Sequence, residues 1–472
     1  MSRAALLLFA ALLLWAPFPL GSNRPWAWSL LVAGLCAASA LWTIAWLRGG
    51  AGSMQVLRKA RPALALFGLW LAYLALYWIP LPAGWIAALS PQAAALHAAA
   101  AAYSPEAHAT LSVDPHASYV FWLKSCAWAL AFFLALALAN TRERARLLAL
   151  ALVLSGLAQA VYGGLMHLGG ADLEIFGARI VHSAQASGGF VNRNHLAGFL
   201  EIALACGIGL LVGELRTARE RSWYHLWRDT AELLLSPRAA LRIALVAMVI
   251  ALVMTHSRMG NTAFFTSLLV AGGAALVLSR HATRGTVLLI ASLIVIDIFV
   301  VGAWFGVEKT LARIEQTTQR DVEQRVEPTV YAFDLAADYP LVGAGPGSFY
   351  SAFPRYRGPD IGAFYDHAHN DYTQFLVETG AIGLLLVGTL PLAALVLAVL
   401  ALSRRTDPLA RGFAFAAIMG IAALGMHSTV DFNLQIPANS LAFVVLLAYA
   451  WIAYYLERRS SPRAAEPKGG RG

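Results

Sequence analysis

The stretch YDHAHNDYTQFLVETGAIGLL, residues 365–385, joins a polar loop to a strongly apolar segment. Its polar part places two histidines, two aspartates and an asparagine within six positions, 366–371. Its apolar part opens the segment 372–402, which is longer than the roughly 20 residues that one membrane crossing needs. The stretch therefore predicts a membrane helix that tilts or projects beyond the bilayer and begins in a cluster of ionisable groups.

The rest of the chain is equally apolar. Of its 472 residues, 59% are hydrophobic and only 13% are charged, which is too little charge for a soluble domain of this size. We predict an all-α polytopic membrane protein with about twelve transmembrane helices. The predicted spans are 4–20, 25–47, 63–81, 118–139, 147–168, 195–213, 240–256, 261–279, 285–305, 372–402, 411–427 and 438–456. The first resembles a signal peptide without a cleavage site, so we expect it to stay as a helix.

The basic residues predict the orientation. With the N-terminus inside, most of the 35 Lys and Arg residues fall in cytoplasmic loops or the C-terminal tail, so both termini are expected in the cytoplasm. The formal charge of +9 then reflects topology, and it does not indicate a nucleic-acid partner. Most of the 12 histidines fall on the opposite, outer side. Cys36, Cys126 and Cys206 have a spacing that predicts neither disulfides nor a zinc site.

The spans and loops predict five regions. These are N-terminal transmembrane helices with an outer loop (1–117), central transmembrane helices (118–305), a large outer loop subdomain (306–371), C-terminal transmembrane helices (372–456) and a basic cytoplasmic tail (457–472). In the loop subdomain we expect a helix from Pro328 to Asp338. The following DYPLVGAGPGSF, 338–349, is typical of a turn. A phosphate-binding loop is disfavoured there, because no strand precedes its glycines and no GKS/T follows them.

Capping is one interpretation of residues 366–371. Asn370 or Asp371 would cap the following helix, and Asp371 with Gln374 resembles a capping box. By the same argument Asn194 would cap the sixth span. Capping leaves His367 and His369 unexplained.

A metal site is a second interpretation, and a catalytic base is a third. In extended backbone, His367 and His369 point the same way, so Asp366 with both imidazoles would suit zinc or another divalent ion. Alternatively, one imidazole accepts a proton from an acceptor hydroxyl. The outer side also carries arginines, which suit phosphates: Arg179, Arg193, Arg258, Arg320 and Arg325. Histidine with these arginines favours transfer chemistry on a phosphate-bearing, lipid-linked donor.

A last polar element is MHSTVDFNLQIPAN, 426–439. His427 and Asp431 are four residues apart, so a continuous helix would place both on one face. Asp431 would then orient the His427 imidazole, or the pair would only close the helix end. We favour structural support.

Five segments occur in an order that resembles the O-antigen ligase/polymerase superfamily of bacterial inner-membrane proteins. They are GGFVNRNHLAGFL (188–200), HSRMG (256–260), RVEPTVYAFDLAADYPLVGAGPGSF (325–349), HAHNDYTQFLVETGAIGLL (367–385) and HSTVDFNLQIPAN (427–439). The resemblance covers about residues 118–456.

The resemblance implies a GT-C-like membrane fold with one large periplasmic loop subdomain. It implies a metal-independent, inverting glycosyltransferase without a cofactor, in the bacterial inner membrane and with its active site facing the periplasm. The donor would be a glycan on undecaprenyl pyrophosphate. The acceptor would be lipid A–core in a ligase, another glycan in a polymerase, or protein in an oligosaccharyltransferase.

Residue roles follow from the same resemblance. His369 matches the family's catalytic histidine, and Arg258, Arg325, Arg179 and Arg193 match positions that bind pyrophosphate. The supporting residues would be His367, Asn370, Asp371, Tyr372, His427 and Asp431. Gln374 and Glu378 would contact sugar or orient the base.

A membrane transporter is the alternative from a different class. A transporter places ionisable groups near the bilayer midplane, where this chain offers Asp297, Glu201 and Lys124. Most of the polar groups lie at one rim, which favours the enzyme.

Overall fold

The computed structural model describes residues 1–50, 52–103, 108–169, 174–175, 178–179, 185–214, 237–278, 291, 295, 328–359, 361 and 364–457. The α-helices in these ranges, in chain order, are α1 Ser2–Trp15, α2 Pro25–Leu47, α3 Gln55–Lys59, α4 Arg61–Ala75, α5 Ala83–Leu89, α6 Pro91–Ala101, α7 Pro115–Leu138, α8 Arg142–Gly169, α9 Arg193–Glu214, α10 Pro237–Met254, α11 Arg258–Leu278, α12 328–338, α13 Phe349–Ala352, α14 Asp371–Arg404, α15 Pro408–His427 and α16 Pro437–Tyr455. Two short strands, β1 Glu174–Ile175 and β2 Ala178–Arg179, pair antiparallel.

The described helices confirm a polytopic, all-helical membrane protein. Eight of those in the described ranges are long and apolar enough to cross a bilayer, and three shorter apolar helices, α1, α4 and α10, coincide with further predicted spans. The predicted span 285–305 falls almost entirely outside the described residues. The total of about twelve and the GT-C-like arrangement therefore remain predictions.

The helices differ sharply in how much protein surrounds them. In α9 and α16, 94% and 89% of the most apolar window is buried inside the protein, whereas the corresponding share of α14 is 22%. Helices α9 and α16 thus form the centre, and α14 presents most of its length to the surroundings, which for an apolar helix means lipid.

Helix α14 is broken near its start. Gly380 has φ +65° and ψ −176°, a backbone conformation outside the helical region that suits glycine because it has no Cβ. A break interrupts the regular pattern in which each N–H donates to the carbonyl four residues earlier. In a membrane helix the freed groups need partners from the protein, because lipid offers none.

The glycine segment, residues 340–347, supplies those partners. The freed N–H groups of Ala381 and Ile382 donate to the carbonyls of Pro340 and Leu341 at 3.0 and 3.2 Å. The carbonyls that these groups would meet in an unbroken helix instead accept from the other end of the segment. Ala344 N–H donates to Val377 O at 2.8 Å, and Gly345 N–H donates to Glu378 O at 2.9 Å. The segment therefore replaces the helical hydrogen bonds on both sides of the break.

Two tyrosines just inside and beyond the end of α4 complete the junction. Tyr73 Oη donates to Thr379 O at 2.7 Å, and Tyr77 Oη donates to Val342 O. The two phenol oxygens lie 2.6 Å apart, so the single proton of Tyr77 is shared between Tyr73 Oη and Val342 O. The break is therefore a specified part of the fold, in which helix, glycine segment and α4 share one hydrogen-bonded network.

The outer subdomain follows the sequence-based prediction in part. The helix predicted from Pro328 to Asp338 is confirmed, and so is the turn that follows it. The long segment 372–402 was expected to tilt or project as one helix. Instead its first residues, 371–379, form a separate helical piece before the break.

We expect Gly380→Ala to destabilise the protein. A Cβ at this position would lie 2.2 Å from the Leu341 carbonyl oxygen and would force a positive φ on alanine. The cost should be about 1–3 kcal/mol, measured as a melting temperature lower by several degrees in detergent. Gly388→Ala is the matched control in the same helix, since no described atom lies within 4 Å of its added Cβ. Equal melting temperatures for the two variants would contradict the assigned role of the break.

Candidate functional site

The histidine loop, residues 364–370, connects the outer subdomain to the start of α14. Its centre is Ala368, which is fully buried and lies between the two histidines. Ala368 N–H donates to Gln374 Oε1 at 2.7 Å, and Ala368 O accepts from Thr329 Oγ1 at 2.9 Å. Because both backbone groups of Ala368 are held, the main chain from which the two imidazoles project is fixed.

Gln374 continues this contact into the outer subdomain. Its Nε2 donates to Glu378 Oε1 at 2.6 Å. The Glu378 carboxylate also accepts from the N–H groups of Gly347 and Phe349, at 2.8 and 3.2 Å. Both residues were predicted to contact sugar or to orient the base. In the structure they are buried and connect the histidine loop with the glycine segment.

Three imidazoles surround the ring of Phe432. The centroids of His367, His369 and His195 lie 4.3, 4.9 and 4.6 Å from that of Phe432. His369 has φ +51°, a conformation that non-glycine residues rarely adopt and that is enriched at functional sites. The extended backbone assumed for His367 and His369 is not present at His369, yet both imidazoles contact the same ring. The participation of His195 and Phe432 was not predicted.

Asn370 is the N-cap of α14, as the sequence allowed. Its Oδ1 accepts from Thr373 N–H at 3.1 Å, and its Nδ2 donates to Thr429 O at 3.0 Å. The predicted capping box does not form, because Asp371 lies inside the helix. Asp371 Oδ2 instead accepts from Ser428 Oγ at 2.8 Å and from Leu434 N–H at 3.0 Å.

These bonds attach the first turn of α14 to the aspartate turn, residues 428–436. Tyr372 adds a hydrogen bond from its Oη to Gly425 O at 2.9 Å, near the end of α15. Asn370, Asp371 and Tyr372 thus position the histidine loop against the neighbouring helices.

The aspartate turn is organised by Asp431, which is fully buried. Its carboxylate accepts from Asn194 Nδ2 at 2.6 Å and from Phe432 N–H at 2.9 Å, and lies 3.3 Å from His195 Nε2. Burial alone would raise the pKa of Asp431, but His195 and these donors outweigh it and lower the pKa below its usual range.

The predicted pairing of His427 with Asp431 is wrong in its geometry. Helix α15 ends at His427, so the two residues do not share a helix face. His427 Nδ1 lies 2.7 Å from Glu201 Oε1 in the buried α9. The partner is 226 positions away in the chain, which no local spacing indicates. Asn194 is likewise not the cap of α9, because Asn192 Oδ1 accepts from its N–H at 2.9 Å.

Two of the predicted arginines lie at helix starts. Arg193 and Arg258 are the first residues of α9 and α11. The two helix starts are close, since a Cβ on Gly260 would lie 2.6 Å from the Ala197 methyl group. Arg193 and Arg258 therefore lie at neighbouring helix N-termini, which carry partial positive charge. Only the backbone of Arg179, in β2, is described, and Arg325 lies outside the described residues with Arg320.

A cavity of 690 Å³ adjoins the site. It lies between α4, α7, α14, α15 and α16, and its walls are mainly apolar. Asp371, Tyr372 and Ser428 line the end next to the histidine loop. Within the described part of the chain, no group of three or more His, Cys, Asp or Glu residues is arranged to hold a metal ion. Asp366, His367 and His369 thus do not form the ligand set that the metal interpretation requires.

Burial lowers the pKa of His367 to about 4, and the neighbouring His195, His369 and Lys124 lower it further against the opposing effect of Asp366. His367 is therefore neutral at neutral pH. In the unfolded chain its pKa returns to about 6.5. Between these values the unfolded state binds a proton that the folded state rejects, so the free energy of unfolding decreases as the pH falls.

Relative to His367→Gln, we expect the wild-type protein to lose more of its melting temperature in detergent between pH 7 and pH 5. The reason is that glutamine has no proton to take up on unfolding. His116→Gln is the control, because His116 is an exposed histidine and should keep the wild-type slope. Parallel pH dependences of wild type and His367→Gln would be the contrary result.

One comparison with known proteins matches a region that includes part of this site. Residues 243–388 match the sequence model of the O-antigen ligase family. The matched region contains Arg258, the glycine segment, the histidine loop and the break in α14. A search of curated proteins finds no match. The match confirms the resemblance drawn from the sequence motifs: residues 243–388 of the chain are similar to the O-antigen ligase family.

Proposed function

We propose that this protein is a membrane glycosyltransferase that transfers a glycan from undecaprenyl pyrophosphate to an acceptor hydroxyl on the periplasmic face of the bacterial inner membrane. The observation that carries the proposal is the histidine loop. It presents His369 beside the starts of α14 and the aspartate turn, with its backbone held by Thr329 and Gln374. A general base needs such a fixed position, because proton transfer requires hydrogen-bond distance from the acceptor.

His369 acts as the general base in this mechanism. Its imidazole takes the proton of the acceptor hydroxyl while the oxygen attacks the anomeric carbon of the donor sugar. The bond between that carbon and the pyrophosphate oxygen breaks, and the electron pair leaves with the pyrophosphate. A single displacement of this kind inverts the configuration at the anomeric carbon.

Cations stabilise the charge that develops on the departing pyrophosphate. Arg193 and Arg258 suit this role, since each begins a helix and combines a guanidinium group with the partial charge of the helix N-terminus. Arg179 and Arg325 are proposed as further ligands on the family resemblance. Pyrophosphate is already a good leaving group, so the proposed reaction needs neither a metal nor another cofactor.

The remaining polar residues act through the position of the base. Asn370, Asp371 and Tyr372 attach the histidine loop to α15 and the aspartate turn. Asp431 holds His195 against the Phe432 ring on which His369 packs. His367 adds a neutral imidazole next to the base, and His427 closes the interior of the site with Glu201.

The acceptor defines three versions of the same reaction. We favour an O-antigen ligase-like role in lipopolysaccharide or exopolysaccharide assembly, with lipid A–core as acceptor. A polymerase would use another glycan, and an oligosaccharyltransferase would use a protein hydroxyl. Deletion of the gene followed by glycan profiling separates them: loss of capped lipopolysaccharide, loss of polymer length and loss of glycoprotein identify the three acceptors.

We expect His369→Ala to lower kcat/KM for glycan transfer by at least about 100-fold, because a general base contributes roughly that factor or more. The assay uses purified protein in detergent with an undecaprenyl pyrophosphate-linked glycan and lipid A–core. His116→Ala is the control histidine, and the melting temperature of each variant verifies folding. Wild-type turnover by folded His369→Ala would refute the assignment. Transfer by the wild type without any compartment would also exclude transport as its sole activity.

Chelation should leave the reaction unchanged. Prolonged treatment with EDTA and removal of the chelated metal are expected to retain full turnover, since the proposed leaving group is neutralised by guanidinium groups. Loss of activity that returns with a divalent ion would instead favour the alternative in which Asp366, His367 and His369 serve a metal.

A further inference from the structure

The cavity beside the site lies along α14, and its lining includes residues of that helix on both sides of the Gly380 break, from Asp371 to Leu395. The walls away from the histidine loop are formed by apolar side chains such as Leu390, Phe443 and Leu447. A long hydrocarbon chain fits such a surface.

One basic residue, Lys124 of α7, lines this cavity. Its side chain is partly buried, and its Nζ lies 5.5 Å from the centre of the Trp28 ring. Among the residues that the structure describes, no carboxylate oxygen lies within 4.0 Å of this Nζ. An ammonium group within apolar helices is costly without an anionic or polar partner, so residues of this kind usually mark a binding site.

The nearest candidate partner within the protein is already engaged. Lys124 is close enough to Glu378 for an electrostatic interaction, but the Glu378 carboxylate accepts three hydrogen bonds, from Gln374 Nε2 and the N–H groups of Gly347 and Phe349. Glu378 therefore needs no further partner. The charge of Lys124 also reaches His367 in the histidine loop. Lys124 thus lines the apolar cavity and lies within electrostatic reach of the histidine loop.

We propose that this cavity holds the hydrocarbon chain of an isoprenoid phosphate and that the Lys124 ammonium contacts the phosphate. The inference rests on the proposed function, because it assigns a place to the lipid part of the donor. An apolar cavity with a cation in its lining is complementary to a long hydrocarbon with one anionic head group. The lysine adds a cation to the site from a helix that none of the five sequence motifs includes.

Binding to two matched lipids tests the proposal. Undecaprenyl phosphate and undecaprenol differ only in the phosphate, and their affinities for purified protein can be measured by native mass spectrometry or tryptophan quenching. In Lys124→Met, the affinity for undecaprenyl phosphate should fall about tenfold or more, while that for undecaprenol should stay within about twofold. Lys124→Arg should retain most of the phosphate affinity, since it keeps the charge.

Two further variants test the cavity and the specificity of the lysine. Cys126→Ala, at a neutral residue of α7 outside the cavity lining, should bind both lipids as the wild type does. Gly388→Leu should weaken both lipids alike, because Gly388 lines the cavity and its added side chain would fill it. Gly68→Leu is the control for a leucine placed in a membrane helix outside this cavity.

Several results would overturn the proposal. Wild-type affinity of Lys124→Met for both lipids would contradict a phosphate contact, and so would an equal loss of both affinities at the wild-type melting temperature. Displacement of undecaprenyl phosphate by an equal concentration of phosphatidylglycerol would identify a general phospholipid site instead. Because these are binding measurements, their failure leaves the His369 transfer assay unaffected, and failure of that assay does not alter the lipid result.

Discussion

The fold outside the membrane depends on how the backbone of α14 is satisfied at Gly380. A helix that is broken inside a bilayer exposes donors and acceptors that lipid leaves unsatisfied, at a cost of several kcal/mol for each. In this protein the glycine segment replaces those hydrogen bonds. Tyr73 and Tyr77 add hydrogen bonds to the carbonyls of Thr379 in the helix and Val342 in the segment. The outer subdomain is therefore attached to the membrane helices through backbone hydrogen bonds, which tolerate little displacement.

The same helix piece then determines where the histidines lie. Residues 371–379 carry Gln374 and Glu378, whose side chains connect the backbone of Ala368 with the N–H groups of the glycine segment. Phe432 of the aspartate turn also packs against the histidine loop, and three imidazoles contact its ring. Position, burial and protonation of the histidine loop therefore arise from contacts between parts of the chain that are distant in sequence.

Local signals in the sequence predicted the local features. Hydropathy located the helices, and residue type identified Asn370 as a cap, because both depend on neighbours within a few positions. The partners of His427 and Asp431 were not predictable in this way, since Glu201 and Asn194 lie more than 200 positions away. The glycines after Pro340 were recognised as a turn, but their role depends on a break whose position only the packed structure reveals.

The break at Gly380 also separates a part of α14 that faces lipid from a part that is hydrogen bonded to the glycine segment. Residues 381–404 face mainly lipid, so a thicker or thinner bilayer changes the preferred tilt of this part. A continuous helix would transmit that tilt to its first turn and displace the imidazoles. Because the backbone turns at Gly380 and the glycine segment holds residues 371–379, we expect changes in membrane thickness to displace the part after Gly380 more than the histidine loop.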